Sequence, residues 1–178
     1  MNEGTKFSEK KPRNGELAVP LVIGIGNEMR TDDGVGLYVV RHLGARLANS
    51  VRIAEQSGEG TALISLWRTA HHVFVIDAVV SGCQPGTVHC VNAHTTRLQK
   101  GFLRSSSHLF GVCEAIELSR ELNELPRTLM VYGIEAESIE LGVGLSESVV
   151  RSVPDLLHRI EHDIEVFTLG SESHGLRL

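Results

Sequence analysis

The stretch at 21–36, Leu-Val-Ile-Gly-Ile-Gly-Asn-Glu-Met-Arg-Thr-Asp-Asp-Gly-Val-Gly, constrains this chain more than any other. A continuous apolar run opens into a Gly/Asn turn, and the turn delivers two adjacent carboxylates to the start of a helical pattern. An apolar run without polar alternation suits a strand covered on both faces, as strands of parallel sheets are. Val35, Val39, Val40, Leu43 and Leu47 then recur at helical spacing, which predicts a helix over 33–48. A strand, a tight glycine turn and a helix in that order form the opening of a βα unit. Acids placed at such a turn are costly unless something cationic needs them.

The rest of the chain repeats the alternation. Strands are predicted at 51–55, 72–77, 87–91 and 128–134, and helices at 61–68, with Gly60 or Thr61 near its cap, and at 108–122, capped by one of Ser105, Ser106 and Ser107. A last helix is predicted over 146–167, kinked or restarted at Pro154. Residues 93–106 are polar and predicted as a long loop. Residues 1–18 and 171–178 read as flexible tails around one domain at 19–170. The expected fold is α/β: a single domain with a twisted, mostly parallel five-stranded sheet and helices on both faces, phosphorylase/hydrolase-like.

Bulk properties remove several function classes. A formal net charge of −5 over 178 residues, with no basic cluster, gives no footprint for nucleic acid. No apolar run approaches the roughly 20 residues that span a bilayer, and the N-terminus lacks the apolar core of a secretory signal. Cys83, Cys90 and Cys113 form no Cys-x-x-Cys pair, which suits a reducing cytoplasm better than a disulfide framework.

Gly24-Ile-Gly26 after a strand resembles the start of a dinucleotide fingerprint, but the third glycine of that pattern is replaced by Met29. The acids at 32 and 33 would also repel a pyrophosphate, so no nucleotide is expected. Asp32 and Asp33 have a plain reading as helix N-terminal acids favoured by the macrodipole. Asp77 ends an apolar run, which puts it at the carboxyl edge of the sheet, where open α/β folds bind ligands. Asp33 lies at that same edge, and two carboxylates on one rim raise each other's pKa unless a cation sits between them. Of nine histidines, His108 stands apart because it opens a helix, where the positive dipole end favours the neutral, metal-ligating imidazole. Asp33, Asp77 and His108 together offer two oxygens and a nitrogen, a borderline donor set with positions left open. Cys90 and Cys113 read as small core residues, and Cys83 as a loop residue near the rim.

In order and spacing, Gly24-Ile-Gly-Asn27, Thr31-Asp-Asp-Gly-Val-Gly36, Ile76-Asp-Ala-Val79 with Pro85-Gly-Thr-Val88, Ser106-Ser-His108 with Gly111, and Tyr132-Gly-Ile-Glu-Ala-Glu-Ser138 running into Gly144-Leu-Ser146 resemble the maturation endopeptidases of nickel–iron hydrogenases. The resemblance covers nearly all of 20–167. It implies a cytoplasmic endopeptidase that removes a C-terminal extension from a hydrogenase large-subunit precursor, after nickel has entered that precursor. It also implies Asp33, Asp77 and His108 as ligands of nickel supplied by the precursor, with Asp32 orienting the loop or sharing in catalysis. Many members carry Asp-Gly-Gly-Thr after the second strand. Here the stretch is Glu55-Gln-Ser-Gly-Glu-Gly-Thr61, which leaves open whether Glu55 or Glu59 replaces that acid.

The expected partner is therefore the precursor, met by a monomer without nucleic acid or membrane. Water activation falls to the metal or to a carboxylate such as Asp32 or Glu28. Two other readings use the same residues: a nickel-checking chaperone that does not cut, and a metal-independent aspartic-type peptidase with Asp33 and Asp77 as a dyad.

Overall fold

The computed structural model describes residues 19–48, 50–98, 103 and 110–172, with side chains described as far as residue 167. In chain order the elements are β1 (Leu21–Ile25), a 3-10 turn (Thr31–Gly34), α1 (Val35–Arg46), β2 (Arg52–Gln56), α2 (Gly60–Trp67), β3 (His72–Val79), β4 (Val88–Asn92), α3 (Val112–Glu121), β5 (Thr128–Glu135) and α4 (Glu147–Glu172). The five strands lie in the order β2-β1-β3-β5-β4. β1 runs parallel to β2 and β3, and β3 parallel to β5; only the edge strand β4 is antiparallel. The mostly parallel sheet expected from the alternation is what forms.

Each central strand is buried along its whole length, so alternate side chains feed two cores. Leu21, Ile23 and Ile25 point towards Leu63 and Trp67 of α2 and Ile116 of α3. Val22, Phe74 and Ile76 point the other way, towards Val39 and Leu43 of α1 and Leu156 and Ile160 of α4. Helices therefore cover both faces. Full burial of each aliphatic side chain contributes about 1.5–3 kcal/mol, which makes these two layers the main source of stability.

Several expected boundaries shift for identifiable reasons. The acids at 32 and 33 sit in a 3-10 turn rather than in the helix, which starts two residues after Asp33. Gly111 caps α3, and the Glu114 carboxylate reaches back to the Gly111 N–H at 3.1 Å. The expected helix start at 108 and its serine caps lie outside the described residues. α4 is one continuous helix through Pro154 and on to Glu172, so residues 171 and 172, expected in a tail, are helical. Pro154 is tolerated because it lies on the solvent face and the carbonyl it deprives belongs to exposed Val150, within reach of water. Cys90 was expected in the core but is exposed, because β4 is an edge strand and its outward side is left uncovered; Cys113 is buried as expected. The tail expected over 1–18 lies outside the described residues.

Candidate functional site

β2 and β3 flank β1 on opposite sides, so the chain steps one way from β1 to β2 and then crosses back past β1 to β3. In an open α/β sheet, that reversal leaves a crevice at the carboxyl ends of the two diverging strands. Asp33 follows β1, and Asp77 lies on β3. β3 does not end at Asp77, as the apolar run suggested, but continues to Val79. The β1–β3 ladder stops at Gly24 and Ile76, so Asp77 is the first β3 residue beyond it. Its backbone stays in the β3–β5 ladder opposite Gly133. Asp77 is fully buried, and its Oδ1 accepts the Ala78 N–H at 2.8 Å.

Glycines bring the Asp33 turn down onto this crevice. A Cβ on Gly36 would lie 2.3 Å from the Ile25 carbonyl oxygen and 2.5 Å from that of Ile76, both backbone atoms. One on Gly24 would meet the Gly36 oxygen at 2.4 Å. Gly26, at φ +142°, would drive a Cβ to 1.7 Å from the Asp33 carbonyl oxygen. The glycines that mimic a dinucleotide fingerprint therefore serve to seat the first turn of α1 over the ends of β1 and β3. That close seating is what puts the 3-10 turn against β3.

The two adjacent acids face different surroundings. Asp32 is fully buried, and its carboxylate accepts three backbone N–H groups: Glu137 at 2.9 Å and Ser138 at 3.1 Å on Oδ2, and Ser146 at 2.6 Å on Oδ1. It joins the β1 turn to the loop between β5 and α4. Thr31 adds a hydroxyl bond to the Ser138 carbonyl at 2.7 Å, and Gly142 N–H donates to the Met29 carbonyl at 3.0 Å. Asp33 is 7% exposed, and burial pushes its carboxyl above the usual range, against the pull of the Asn27 N–H and the Arg30 charge. Asp32 is bound into structure; Asp33 is held in an environment that resists its charge.

The other acids near the rim have structural partners. Arg41 of α1 forks onto Glu55, with Nε–Oε1 and Nη2–Oε2 both 2.8 Å, and reaches Glu28 at 2.8 Å. Glu59 caps α2 through the Thr61 N–H at 2.9 Å and the Ala62 N–H at 2.8 Å, the place the sequence assigned to Gly60 or Thr61. Both candidate replacements for the Asp-Gly-Gly-Thr acid are thus engaged, Glu55 by Arg41 of α1 and Glu59 at the start of α2. His108 lies outside the described residues. On either side of it, Leu103 bridges to Val79 at the end of β3, and the Phe110 carbonyl accepts the Gly60 N–H at 3.0 Å.

Sequence reasoning missed the loop at 136–146 as the partner of Asp32, although the Glu-Ala-Glu-Ser and Gly-Leu-Ser pieces had marked it. Beside the turn this loop carries Leu141 and Val143, exposed together with Met29. Among the described residues, no helix is long and apolar enough to cross a membrane.

Known proteins share this fold and sequence pattern. A profile described as hydrogenase maturation protease matches residues 37–163. The hydrogenase expression/formation protein HoxM of Azotobacter vinelandii is 31% identical over 132 residues, which cover 72% of this chain and 64% of that protein. Hydrogenase 2 maturation protease of Escherichia coli is 28% identical over 144 residues, covering 79% of this chain and 87% of the relative. Among solved structures, the hydrogenase maturating endopeptidase HybD of Escherichia coli shares the fold with a TM-score of 0.68, at 24% identity over 82% of this chain and 91% of that one. The chain belongs to the hydrogenase maturation protease family.

Proposed function

We propose that the protein is an endopeptidase that removes the C-terminal extension of a nickel–iron hydrogenase large-subunit precursor, and that nickel carried by the precursor is its recognition element. Family membership supports the reaction class. The observation that carries the choice of residues is Asp33, a nearly buried carboxylate in a glycine-seated turn that packs against β3, the strand that carries Asp77.

In this reading Asp33 and Asp77 offer hard oxygen donors to a cation presented by the precursor, and His108 adds a nitrogen. Such a mixed set suits a borderline divalent ion and is incomplete without ligands from the substrate. Shared ligation would fix the scissile bond over the rim and convert recognition into positioning. Exposed Met29, Leu141 and Val143 give the adjoining rim an apolar surface for the precursor's segment. Asp32 is a positioning residue, since its three N–H partners already occupy the carboxylate that a general base would need. Glu28 is likewise turned to Arg41. In this reading the reaction takes place in a reducing cytoplasm, in keeping with three cysteines that form no Cys-x-x-Cys pair.

The raised Asp33 carboxyl supports a second reading, an aspartic-type dyad with Asp77 that needs no metal. Intact mass measurement of the precursor after incubation with the protein, with nickel present or removed by chelation, separates the two. Loss of the C-terminal segment only in the nickel-loaded precursor is the expected result. Cleavage that survives chelation would favour the dyad, and binding without cleavage would make the protein a chaperone. His108→Ala should abolish processing with the fold intact, and normal cleavage by that variant would remove His108 from the site.

A further inference from the structure

We propose that Cys83, His89 and Glu135 form a second cation site, for a borderline divalent metal such as Zn2+ or Co2+, at the carboxyl edge of the sheet but apart from Asp33 and Asp77. The three residues come from three places: the loop between β3 and β4, strand β4, and the end of β5. One donor atom from each lies within 4.8 Å of the other two. His89 Nε2 stands 3.4 Å from Glu135 Oε2, longer than a good hydrogen bond. It matches the edge of a tetrahedron built from zinc–nitrogen and zinc–oxygen bonds, about 3.3 Å.

The surroundings preorganise this cluster. Glu135 is 2% exposed, and the loop wraps around its carboxylate: Ser81 N–H and Gly82 N–H reach Oε1 at 2.8 Å, and the Ser81 hydroxyl reaches Oε2 at 2.7 Å. These donors fix the orientation of the acid, as outer-shell donors do for metal-ligating carboxylates. Gly82, at φ +89°, turns the loop so that the next residue, Cys83, is exposed beside the buried acid. A thiolate, an imidazole and a carboxylate with one side open to solvent form a three-ligand set with a vacant position and an entry path.

The site is distinct from the family's rim. Asp77, Gly133 and His89 lie in one row across β3, β5 and β4. His89 is therefore two strands, roughly 10 Å, from Asp77. Asp77 is not among the residues whose donor atoms all lie within 4.8 Å of one another in this cluster. The inference rests on this geometry and not on the hydrolytic reading of Asp33 and Asp77.

Titration of the full chain with Co2+, followed by Zn2+ competition, tests it. A thiolate-to-cobalt charge-transfer band is expected in the wild type and in Asp77→Asn, displaced by Zn2+. Cys83→Ser and His89→Gln should each lose the band and weaken Zn2+ binding at this site by more than about 100-fold, beyond what loss of an outer partner costs. Both substituted positions lie outside the core, so melting temperatures without metal should match the wild type. No band in the wild type, a band retained in Cys83→Ser, or one lost in Asp77→Asn would overturn the proposal.

Discussion

The turns that follow β1 and β2 lie side by side at the carboxyl edge of the sheet, and both are rich in acid and glycine. At the end of β2 both acids have partners. Glu55 is forked by Arg41, and Glu59 caps α2. The pair in the β1 turn is treated unequally: Asp32 is saturated by three N–H groups, while neighbouring Asp33 is buried with its carboxyl pushed up despite the Asn27 N–H and the Arg30 charge. A chain can solve the problem of an acid at a strand end in two ways, by giving it donors or by burying it at a cost. The second is worth keeping only where the charge is needed by something else.

Substitutions can break or sharpen that contrast. The largest effect is expected at the crevice: in its proposed ligand role Asp77→Asn should slow precursor processing by at least about 100-fold, more than loss of an outer-shell partner costs, while Glu55→Gln stays near the wild-type rate in the same cleavage assay. Next comes Asp32→Asn, which places an amide against three N–H donors. It should destabilise the fold by about 2–3 kcal/mol, read as a lower urea midpoint with unchanged slope. Glu59→Ala removes a helix cap and should cost about 1 kcal/mol without touching processing. Arg41→Ala breaks an exposed pair and should cost less than about 1 kcal/mol, with the difference fading in high salt.

The smallest effect has an informative sign. A carboxyl whose folded pKa is raised binds its proton more tightly in the native state than in the unfolded chain. Stability then falls as pH rises from the ordinary carboxylate value through the raised one, and the full penalty persists above it. Asp33→Asn should therefore melt at or above the wild type at neutral pH and lose that advantage in acid, where both states are protonated. The neighbouring Asp32→Asn should do the reverse at neutral pH.

Much of this contrast is legible in sequence because its grammar is local. Gly24, Gly26 and Gly36 surround Asp33 within one turn, and the apolar run before Asp77 marks a central strand by itself. What could not be read is whatever lies far along the chain. The donors to Asp32 come from Glu137, Ser138 and Ser146, more than a hundred residues away. No spacing rule distinguishes Asp32 from Asp33 without them. Glu135 is likewise brought to Cys83 and His89 only by the β3-β5-β4 pairing. Cys90 shows the opposite failure: alternation predicts a strand but not that the strand is the uncovered edge. Glu59 as a cap was missed because Glu is a less frequent cap than Thr or Gly, the residues that follow it.

The central claim is that the β1 turn exists to present Asp33, and the most direct test is the rate at which Asp33→Asn releases the C-terminal segment from nickel-loaded precursor, followed by intact mass. The expected result is no release over a period in which the wild type runs to completion, by a variant whose melting temperature at neutral pH is no lower than the wild type's. Release at the wild-type rate by a folded Asp33→Asn protein would contradict it.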